Sequence, residues 1–313
     1  MRAAVIDRFG PPEVIAIADI PRPEPAAGQV LVRVHAAGVG YWDALIREAN
    51  GVVPPSLPLT LGSDIAGVVH SVGAGVSDFQ SGDEVYGATN PDFIGGYAEY
   101  ALASAGMIAR KPASLNFCEA ASVPVVAVTA WQMLFEYANL KAGQTALVHG
   151  AAGNVGAYAV RLAKRAGIRV IATAGPRDLD YVRALEADVV IDYSTQRFED
   201  VAHNVDAVID TAGGDTRQRS FAVIKSGGTL VSAVSPIPAD QNPRPDVKAI
   251  FFLVEVTQAR LNQLSPLFEK GELKPDVGTV LPLEAARAAH IMLAGAPHKR
   301  GKILLDLDLR EGG

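Results

Sequence analysis

The middle of the chain alternates between two patterns of apolar residues. Short continuous apolar runs, typical of strands covered on both faces, lie at 146–149, 169–173, 189–191, 207–209 and 229–233. Segments with apolar residues at helical spacing lie between them, at 154–166, 179–185, 196–203 and 215–224. Strands that alternate with helices predict a doubly wound parallel sheet, so we expect an α/β domain over residues 120–254.

The flanking regions show a different pattern, in which short β-rich segments are interrupted by Gly and Pro. Before residue 119 these segments lie at 2–6, 14–20, 30–36, 61–72, 83–86, 96–102 and 107–111. They predict a small barrel-like or sandwich-like domain. After residue 255 come two helical segments, at 257–270 and 283–293, and a strand at 302–306. This tail is too small to fold alone, so we expect residues 1–119 and 255–313 to form one domain.

Three glycines follow the first apolar run of the middle domain at intervals of three residues. Gly150 allows the chain to turn off the strand, Gly153 allows close approach to a pyrophosphate, and Gly156 allows the helix to lie on the sheet. Three glycines alone also occur in ordinary loops, but the helical pattern that follows favours a nucleotide-binding turn. Phosphates would lie at the helix N-terminus. Candidate binding residues in the turn are Gly150, Ala152, Gly153, Asn154, Val155 and Gly156.

Composition and charge exclude several classes of protein. A length of 313 residues favours two domains, and a net charge of −6 without a basic stripe argues against nucleic acid or an anionic membrane as partner. The single cysteine, Cys118, excludes an internal disulfide and a multi-thiolate metal site. The N-terminus does not resemble a signal peptide, and no apolar run reaches 18 residues, so we expect a cytoplasmic protein.

Further motifs occur in a fixed order along almost the whole chain. They are Ala37-Gly38-Val39 with Asp43, and the segments 61–67, 81–87, 95–100 and 300–305. Together with the glycine turn, these motifs resemble those of the zinc-free quinone oxidoreductases of the medium-chain dehydrogenase/reductase superfamily. The resemblance implies a GroES-like catalytic domain, a Rossmann nucleotide-binding domain and an active site in the cleft between them.

The resemblance also bears on metal binding. Zinc-dependent members of the superfamily carry Cys, His and Cys ligands at positions that match Gly40, Ser63 and approximately Val125 here. None of these three residues provides a zinc-ligating side chain, so we expect no catalytic zinc. Two carboxylates that lie near the metal in the zinc enzymes match Asp43 and Asp64. Here we expect both to have structural roles, as caps or in an ion pair, with Arg47 as one possible partner.

The second predicted strand of the nucleotide domain ends without an acidic residue. NAD enzymes carry Asp or Glu at this position to bind the ribose 2′-hydroxyl, whereas this strand leads into Ala174, which permits NADPH. Arg177 follows within reach, and its guanidinium would suit the 2′-phosphate, although a solvated surface role is also compatible with its position. Tyr193 matches a family position beside this phosphate. We interpret Asp178 as the N-cap of the next helix rather than as the missing acid.

Other cofactor contacts are implied by the resemblance alone. Thr129 matches a threonine near the nicotinamide carboxamide, and Lys302 belongs to the C-terminal motif. The remaining candidates follow the later strands of the nucleotide domain, and they are Ala212, Gly213, Val234, Ser235, Phe251 and Phe252. For the two phenylalanines, packing in the core is equally compatible with the sequence.

The expected reaction is hydride transfer from NADPH to a quinone or an α,β-unsaturated carbonyl. Family members often carry Asn and Tyr in the segment that corresponds to 38–47, where this chain has Gly40 and Leu45. We predict that Tyr41 and Trp42 rebuild the substrate site, with Tyr41 as proton donor or oxygen-binding group. Simple packing of both aromatic residues is an equal alternative.

The sequence is also compatible with two other functions, and it predicts a homodimer. A non-catalytic nucleotide-binding protein would need the same glycine turn, and an enoyl-thioester reductase would need a basic entrance that we do not locate in the sequence. We further expect a homodimer, because residues 229–235 resemble the edge through which relatives pair their sheets.

Overall fold

The computed structural model describes residues 1–50 and 56–309. The chain divides into two compact units, one formed by Met1–Val125 with Val256–Gly313 and the other by Val126–Glu255. No helix in the described ranges has the length and apolar character needed to cross a membrane.

Sixteen strands lie in the described part of the chain. They are β1 (Arg2–Ile6), β2 (Ala16–Asp19), β3 (Gln29–Val39), β4 (Leu59–Thr60), β5 (Asp64–Val72), β6 (Glu84–Ala88), β7 (Tyr100–Ser104), β8 (Ile108–Arg110), β9 (Thr145–His149), β10 (Arg169–Ala174), β11 (Val189–Asp192), β12 (Val205–Asp210), β13 (Ile224–Ser232), β14 (Lys248–Phe251), β15 (Val277–Pro282) and β16 (Lys302–Asp306).

The α-helices connect these strands. They are α1 (Tyr41–Arg47), α2 (Phe117–Ala121), α3 (Pro124–Trp131), α4 (Asn154–Arg165), α5 (Leu179–Ala184), α6 (Gly214–Ser220), α7 (Gln258–Glu269) and α8 (Ala286–Leu293). A π-helical segment, Gln132–Tyr137, directly follows α3.

The first unit is rich in β-structure. Its larger sheet has the strand order β15-β16-β3-β5-β6-β8, with β7 also paired with β3, and a smaller sheet has the order β2-β1-β4. Along β3 the apolar residues Val30, Val32 and Val34 are buried in the core of this unit, which explains the β-branched run in the sequence. The last strand, β16, pairs antiparallel with β3, so the C-terminal segment is hydrogen-bonded into the N-terminal sheet.

The second unit contains a six-stranded sheet with the order β11-β10-β9-β12-β13-β14, in which every neighbouring pair is parallel. Residues such as Ala146, Leu147 and Val148 on β9 are completely buried. Continuous apolar runs therefore mark strands that are covered on both faces. The predicted doubly wound parallel sheet of a Rossmann domain is confirmed.

The structure corrects the predicted interface of the homodimer. The sequence pattern placed the sheet edge at residues 229–235, but β13 lies inside the sheet, paired with β12 on one side and β14 on the other. Its backbone hydrogen-bonding groups are therefore already used, and an interior strand cannot pair with a second molecule. The outermost strand on this side is β14, which the apolar pattern did not identify. The homodimer itself stays a prediction.

One predicted helix is also wrong. Residues 196–203 form only a short 3-10 turn, Phe198–Asp200, instead of an α-helix. Asn204 follows with a positive φ of 53°, which ends any helical path, and eight residues are too few to stabilise a helix by themselves. The helical spacing in the sequence reflects the burial of Phe198 and Ala202 in the core of this unit.

Candidate functional site

The glycine turn, residues 150–156, connects β9 to α4, and steric contact fixes its two ends. Gly150 has a φ of +68°, and a Cβ added there would lie 2.4 Å from Thr211 Oγ1. A Cβ on Gly156 would lie 2.2 Å from the carbonyl oxygen of Gly150, which is backbone and cannot move aside. The Thr211 hydroxyl donates a hydrogen bond to the carbonyl of His149 at 2.7 Å. The turn therefore needs glycine at both ends.

Gly153 differs from these two glycines, because it is exposed and adopts an ordinary extended conformation as the N-cap of α4. A Cβ there would approach only the Gly150 carbonyl oxygen, at 3.3 Å. The first N–H groups of α4 have no intrahelical acceptor, and they carry the positive end of the helix dipole. An open glycine surface at a helix N-terminus is a suitable place for a pyrophosphate, and its binding here stays a prediction.

The parallel sheet gathers most other cofactor candidates at the same edge, since the carboxyl ends of parallel strands lie together. Those at or directly after these ends are Ala174 and Arg177 for β10, Tyr193 for β11, Ala212 and Gly213 for β12, Val234 and Ser235 for β13, and Phe251 and Phe252 for β14. Thr129 is buried within α3 of the same unit. Their contacts with a cofactor stay predictions.

The candidates for the adenosine phosphate lie on the surface after β10 and β11. Arg177 is exposed, and the Tyr193 side chain is 66% exposed. The Tyr193 hydroxyl lies over Gly175, where an added Cβ would be 2.8 Å from it. Asp178 is the N-cap residue of α5 as expected, although its side chain makes no hydrogen bond to the N-terminal backbone of the helix.

Asp210, at the end of β12, is a functional candidate that the sequence reasoning missed. This buried carboxylate accepts hydrogen bonds from the N–H groups of Ala212 (3.0 Å) and Gly213 (2.7 Å) through Oδ1. Its Oδ2 accepts a hydrogen bond from Ser232 Oγ at 2.7 Å. The Ser232 hydroxyl in turn accepts from the Val234 N–H at 3.2 Å. One side chain thus orders the loops after β12 and β13, and an acidic residue that ends an apolar strand was the available signal.

Two further buried side chains hold this edge of the sheet. Arg217 donates from Nη1 to the carbonyl and hydroxyl oxygens of Ser235, both at 2.9 Å. His149, directly before the glycine turn, has Nδ1 3.0 Å from Thr173 Oγ1 and Nε2 2.9 Å from Ser220 Oγ. Burial lowers the pKa of His149 to about 4. The imidazole is therefore neutral at physiological pH and links three elements beneath the turn.

The first unit contains a polar cluster formed by Trp42, Asp43, Ser63, Asp64, Tyr97 and Lys302. Within this cluster, Asp43 Oδ2 accepts hydrogen bonds from the Gly40 N–H and the Tyr97 hydroxyl, both at 2.8 Å. Burial raises the pKa of Asp43 to about 7, while these hydrogen bonds and Lys302 oppose that change. Asp43 therefore caps the N-terminus of α1.

Asp64 forms an ion pair in the same cluster. Its Oδ2 lies 2.9 Å from Lys302 Nζ, and both side chains are almost completely buried. Its Oδ1 accepts a hydrogen bond from the Val125 N–H at 3.1 Å. Burial raises the pKa of Asp64, and the Lys302 ammonium opposes that change. The structure thus places Lys302 in a buried ion pair, and its predicted contact with the cofactor stays a prediction.

Arg47, considered in the sequence as a partner for these carboxylates, makes other contacts. It donates to the carbonyl oxygen of Gly10 at 2.9 Å, forms an ion pair with Glu48 and has Nη1 2.6 Å from His290 Nδ1. Burial, reinforced by the Arg47 charge, lowers the pKa of His290 to about 3. Neutral His290 can therefore accept a hydrogen bond from the guanidinium, and the carboxylate that pairs with Arg47 is Glu48 rather than Asp43 or Asp64.

The two aromatic candidates for the substrate site differ in their environments. Tyr41 is 67% exposed, whereas Trp42 is half-buried and donates from Nε1 to Ser63 Oγ at 3.0 Å. The Lys302 ammonium lies 4.0 Å from the centroid of the Trp42 ring. At the start of α1, an exposed tyrosine, Tyr41, is therefore followed directly by a tryptophan, Trp42, whose indole is held by Ser63 and Lys302.

The three positions that correspond to zinc ligands all contact this cluster. The Gly40 N–H binds Asp43, the Ser63 hydroxyl accepts from Trp42, and the Val125 N–H binds Asp64. Among residues 1–50 and 56–309, no three His, Cys, Asp or Glu side chains are grouped so that they could hold a metal ion.

Known families and proteins match both units. The family described as "Alcohol dehydrogenase GroES-like domain" matches residues 26–113, and the one described as "Zinc-binding dehydrogenase" matches residues 185–305. The quinone oxidoreductase of Mus musculus is 34% identical over 97% of each chain. An NADPH-dependent alkenal/one oxidoreductase of Arabidopsis thaliana is 33% identical over 97% of this chain and 79% of its own.

Solved structures agree with these matches. The quinone oxidoreductase from Coxiella burnetii has a TM-score of 0.91 and 34% identity, and the alignment covers 98% of this chain and 99% of that chain. The matches at this identity extend over nearly the full length of the chain. The chain therefore belongs to the quinone oxidoreductases of the medium-chain dehydrogenase/reductase superfamily.

Proposed function

We propose that the protein transfers a hydride from NADPH to a quinone or an α,β-unsaturated carbonyl without the help of a metal. The observation that carries the proposal is the glycine turn, in which exposed Gly153 leaves an open surface at the N-terminus of α4. The names of the relatives, a quinone oxidoreductase and an NADPH-dependent alkenal/one oxidoreductase, support the substrate class.

The preference for NADPH rests on the residues after β10. Ala174 ends this strand, so no carboxylate at its end repels a 2′-phosphate. Arg177 follows on the surface and would provide a planar, permanently charged donor to that phosphate. Tyr193, whose hydroxyl lies over Gly175, would limit the space beside it. When bound, NADPH supplies the hydride, and the chain binds and orients it.

The metal-free part of the proposal is supported by the residues at the three positions that carry ligands in zinc enzymes. Gly40 has no side chain, the Ser63 hydroxyl is bonded to Trp42, and Val125 is apolar. A quinone or the β-carbon of an enone is already electrophilic, so it needs no Lewis acid to accept a hydride. The resulting oxyanion is stabilised by conjugation and needs one proton. The exposed hydroxyl of Tyr41 or a water molecule would supply it.

The test is NADPH consumption by the purified protein with a panel of quinones and enones, in parallel with metal analysis. We expect turnover with at least one acceptor class, less than one zinc per chain, and no loss of rate with a chelator. A protein that binds NADPH but reduces no acceptor would instead be a non-catalytic nucleotide-binding protein. Stoichiometric zinc whose removal abolishes turnover would overturn the metal-free mechanism.

A further inference from the structure

The indole of Trp42 is held by contacts on its nitrogen and on its ring. Nε1 donates to Ser63 Oγ at 3.0 Å, and the Lys302 ammonium lies 4.0 Å from the ring centroid. A Cβ added to Gly40 would lie 2.3–2.5 Å from three carbons of the six-membered ring. The indole thus occupies the space in which a side chain at position 40 would lie, and Gly40 is required for this arrangement.

The Lys302 ammonium lies against this indole. The ammonium is buried, 2.9 Å from Asp64 Oδ2 and 4.0 Å from the centroid of the Trp42 ring. A buried ammonium needs compensation for its lost hydration, and an aromatic face provides part of it. Asp64 is itself fixed by the Val125 N–H at 3.1 Å. A continuous chain of contacts therefore runs from the backbone at Val125 to the indole.

Trp42 keeps part of its surface exposed to solvent despite these contacts. It is therefore a rigid, flat, apolar surface next to exposed Tyr41. We propose that Trp42 is a specificity-determining residue that favours planar bicyclic acceptors over short open-chain ones, and that Lys302 is a positioning residue that acts through Trp42. This proposal rests on the proposed function and identifies the acceptor class within it.

The first test compares kcat/KM for 1,4-naphthoquinone and for a short open-chain enone. Aromatic stacking predicts that Trp42→Ala lowers kcat/KM for the quinone by about tenfold and changes that for the enone by less than about twofold. Trp42→Phe keeps an aromatic ring but loses the donor to Ser63, so it should give an intermediate ratio. An equal change for both acceptors in Trp42→Ala would show that the indole is only structural.

Lys302 needs a double variant, because removing its charge alone leaves Asp64 buried without a partner. Asp64→Asn with Lys302→Met removes both charges and keeps an acceptor for the Val125 N–H. We expect the ratio of kcat/KM for the quinone to that for the enone to fall by about threefold. The fall should come from a higher KM for the quinone and not from kcat, and KM for NADPH should not change. A change in KM for NADPH with unchanged acceptor selectivity would overturn the assignment of Lys302.

The matched control is Lys111→Met in the same unit. Lys111 is also nearly buried, pairs with Glu84 at 3.1 Å and lies 5.4 Å from the centroid of the Phe117 ring. It therefore reproduces the loss of a buried ammonium beside an aromatic ring at a location away from Trp42. We expect its acceptor selectivity to equal that of the wild type. The same selectivity loss as in the Lys302 double variant would count against a specific effect through Trp42.

A binding measurement separates this inference from the proposed function. Because the chain has two tryptophans, Trp131→Phe leaves Trp42 as the sole indole. With NADP⁺ present and no turnover, 1,4-naphthoquinone should quench Trp42 fluorescence statically and saturably, and more weakly in the Lys302 double variant. Purely collisional quenching would overturn the role of Trp42. If the wild type reduces no acceptor, the proposed function fails, and the quenching result still decides whether Trp42 binds planar quinones.

Discussion

The glycine turn of the second unit and the polar cluster of the first unit are built in different ways. The turn consists of consecutive residues, 150–156, and its geometry depends on backbone contacts such as that between Gly156 and the Gly150 carbonyl. The polar cluster joins residues that are far apart in the chain, as in the pair of Asp64 and Lys302. A local site can be recognised from a short pattern, whereas a non-local site depends on which strands pair.

The two regions also differ in their energetics. The glycine turn exposes backbone N–H groups that a ligand can use, and it contains no buried charge. The polar cluster buries two carboxylates and one ammonium, so its groups depend on one another for compensation of lost hydration. Changes in the cluster should therefore act mainly on stability, and changes in the turn and its neighbours mainly on cofactor binding.

The largest effect is expected for the single variant Lys302→Met. It leaves the Asp64 carboxylate buried without its cation, which should lower the free energy of unfolding by about 3–5 kcal/mol. Urea denaturation checks this value. Lys111→Met should lose much less free energy of unfolding. The partner of Lys111, Glu84, is 52% exposed, so water can solvate its carboxylate when the lysine is removed. Equal losses in the two variants would contradict the distinction between the cluster and an ordinary ion pair.

The next effect concerns cofactor choice. A charge-assisted hydrogen bond is worth about 1.5–3 kcal/mol, so Arg177→Ala should weaken NADPH binding roughly ten- to a hundredfold. NADH binding should hardly change, because NADH carries no 2′-phosphate. The measurement is the ratio of kcat/KM for the two cofactors. Arg183→Ala on α5, which removes another exposed arginine, is the control, and an unchanged ratio in Arg177→Ala would refute the assignment.

A third prediction tests the packing of the glycine turn. A methyl group on Gly156 would collide with the Gly150 carbonyl, and overpacking of this kind costs about 1–3 kcal/mol. Gly156→Ala should therefore lower both the melting temperature and the affinity for NADPH. Gly106→Ala, where an added Cβ meets nothing within 4 Å, should change neither. If Gly156→Ala binds NADPH with normal affinity, α4 can move away from the Gly150 carbonyl without loss of binding, and close packing at Gly156 is not required.

The last prediction concerns how the titration of Asp43 makes stability depend on pH. Its pKa is raised from 3.8 to about 7 in the folded protein, chiefly by burial, so the folded state holds this proton more tightly than the unfolded state. Stability from this group is present at low pH and is lost as the pH rises through about 7. Asp43→Asn removes the titration and keeps an acceptor for Gly40 and Tyr97.

The stability of the wild type relative to Asp43→Asn should therefore fall with rising pH, by up to about 1.4 kcal/mol per pH unit between the two pKa values. Denaturation at several pH values checks this slope. Taking the difference between the two proteins cancels the contribution of His149 and His290. Burial lowers the pKa of both histidines, so they bind protons more weakly in the folded state than in the unfolded state. Their contribution therefore destabilises the folded protein as the pH falls, opposite in sign to that of Asp43. A difference independent of pH would contradict the raised pKa of Asp43.

Elements with strong local signals could be predicted from the amino-acid pattern. The continuous apolar runs at 146–149 and 207–209 identified buried parallel strands, because covering both faces of a strand requires apolar side chains at every position. The three glycines of the turn were also recognisable, since positive φ at Gly150 and close packing at Gly156 exclude any other residue.

Tertiary structure alone decided the features that depend on distant partners. Strand β14 completes the sheet through pairing with β13, although its short sequence carries no distinctive pattern. The sequence suggested Arg47 as one possible partner of Asp64, whereas the pairing of β16 with β3 brings Lys302 to it. The local spacing of residues predicts which of them are buried in strands and helices and which form turns. Which charges meet is set by strand register, because only the register places side chains from opposite ends of the chain within bonding distance.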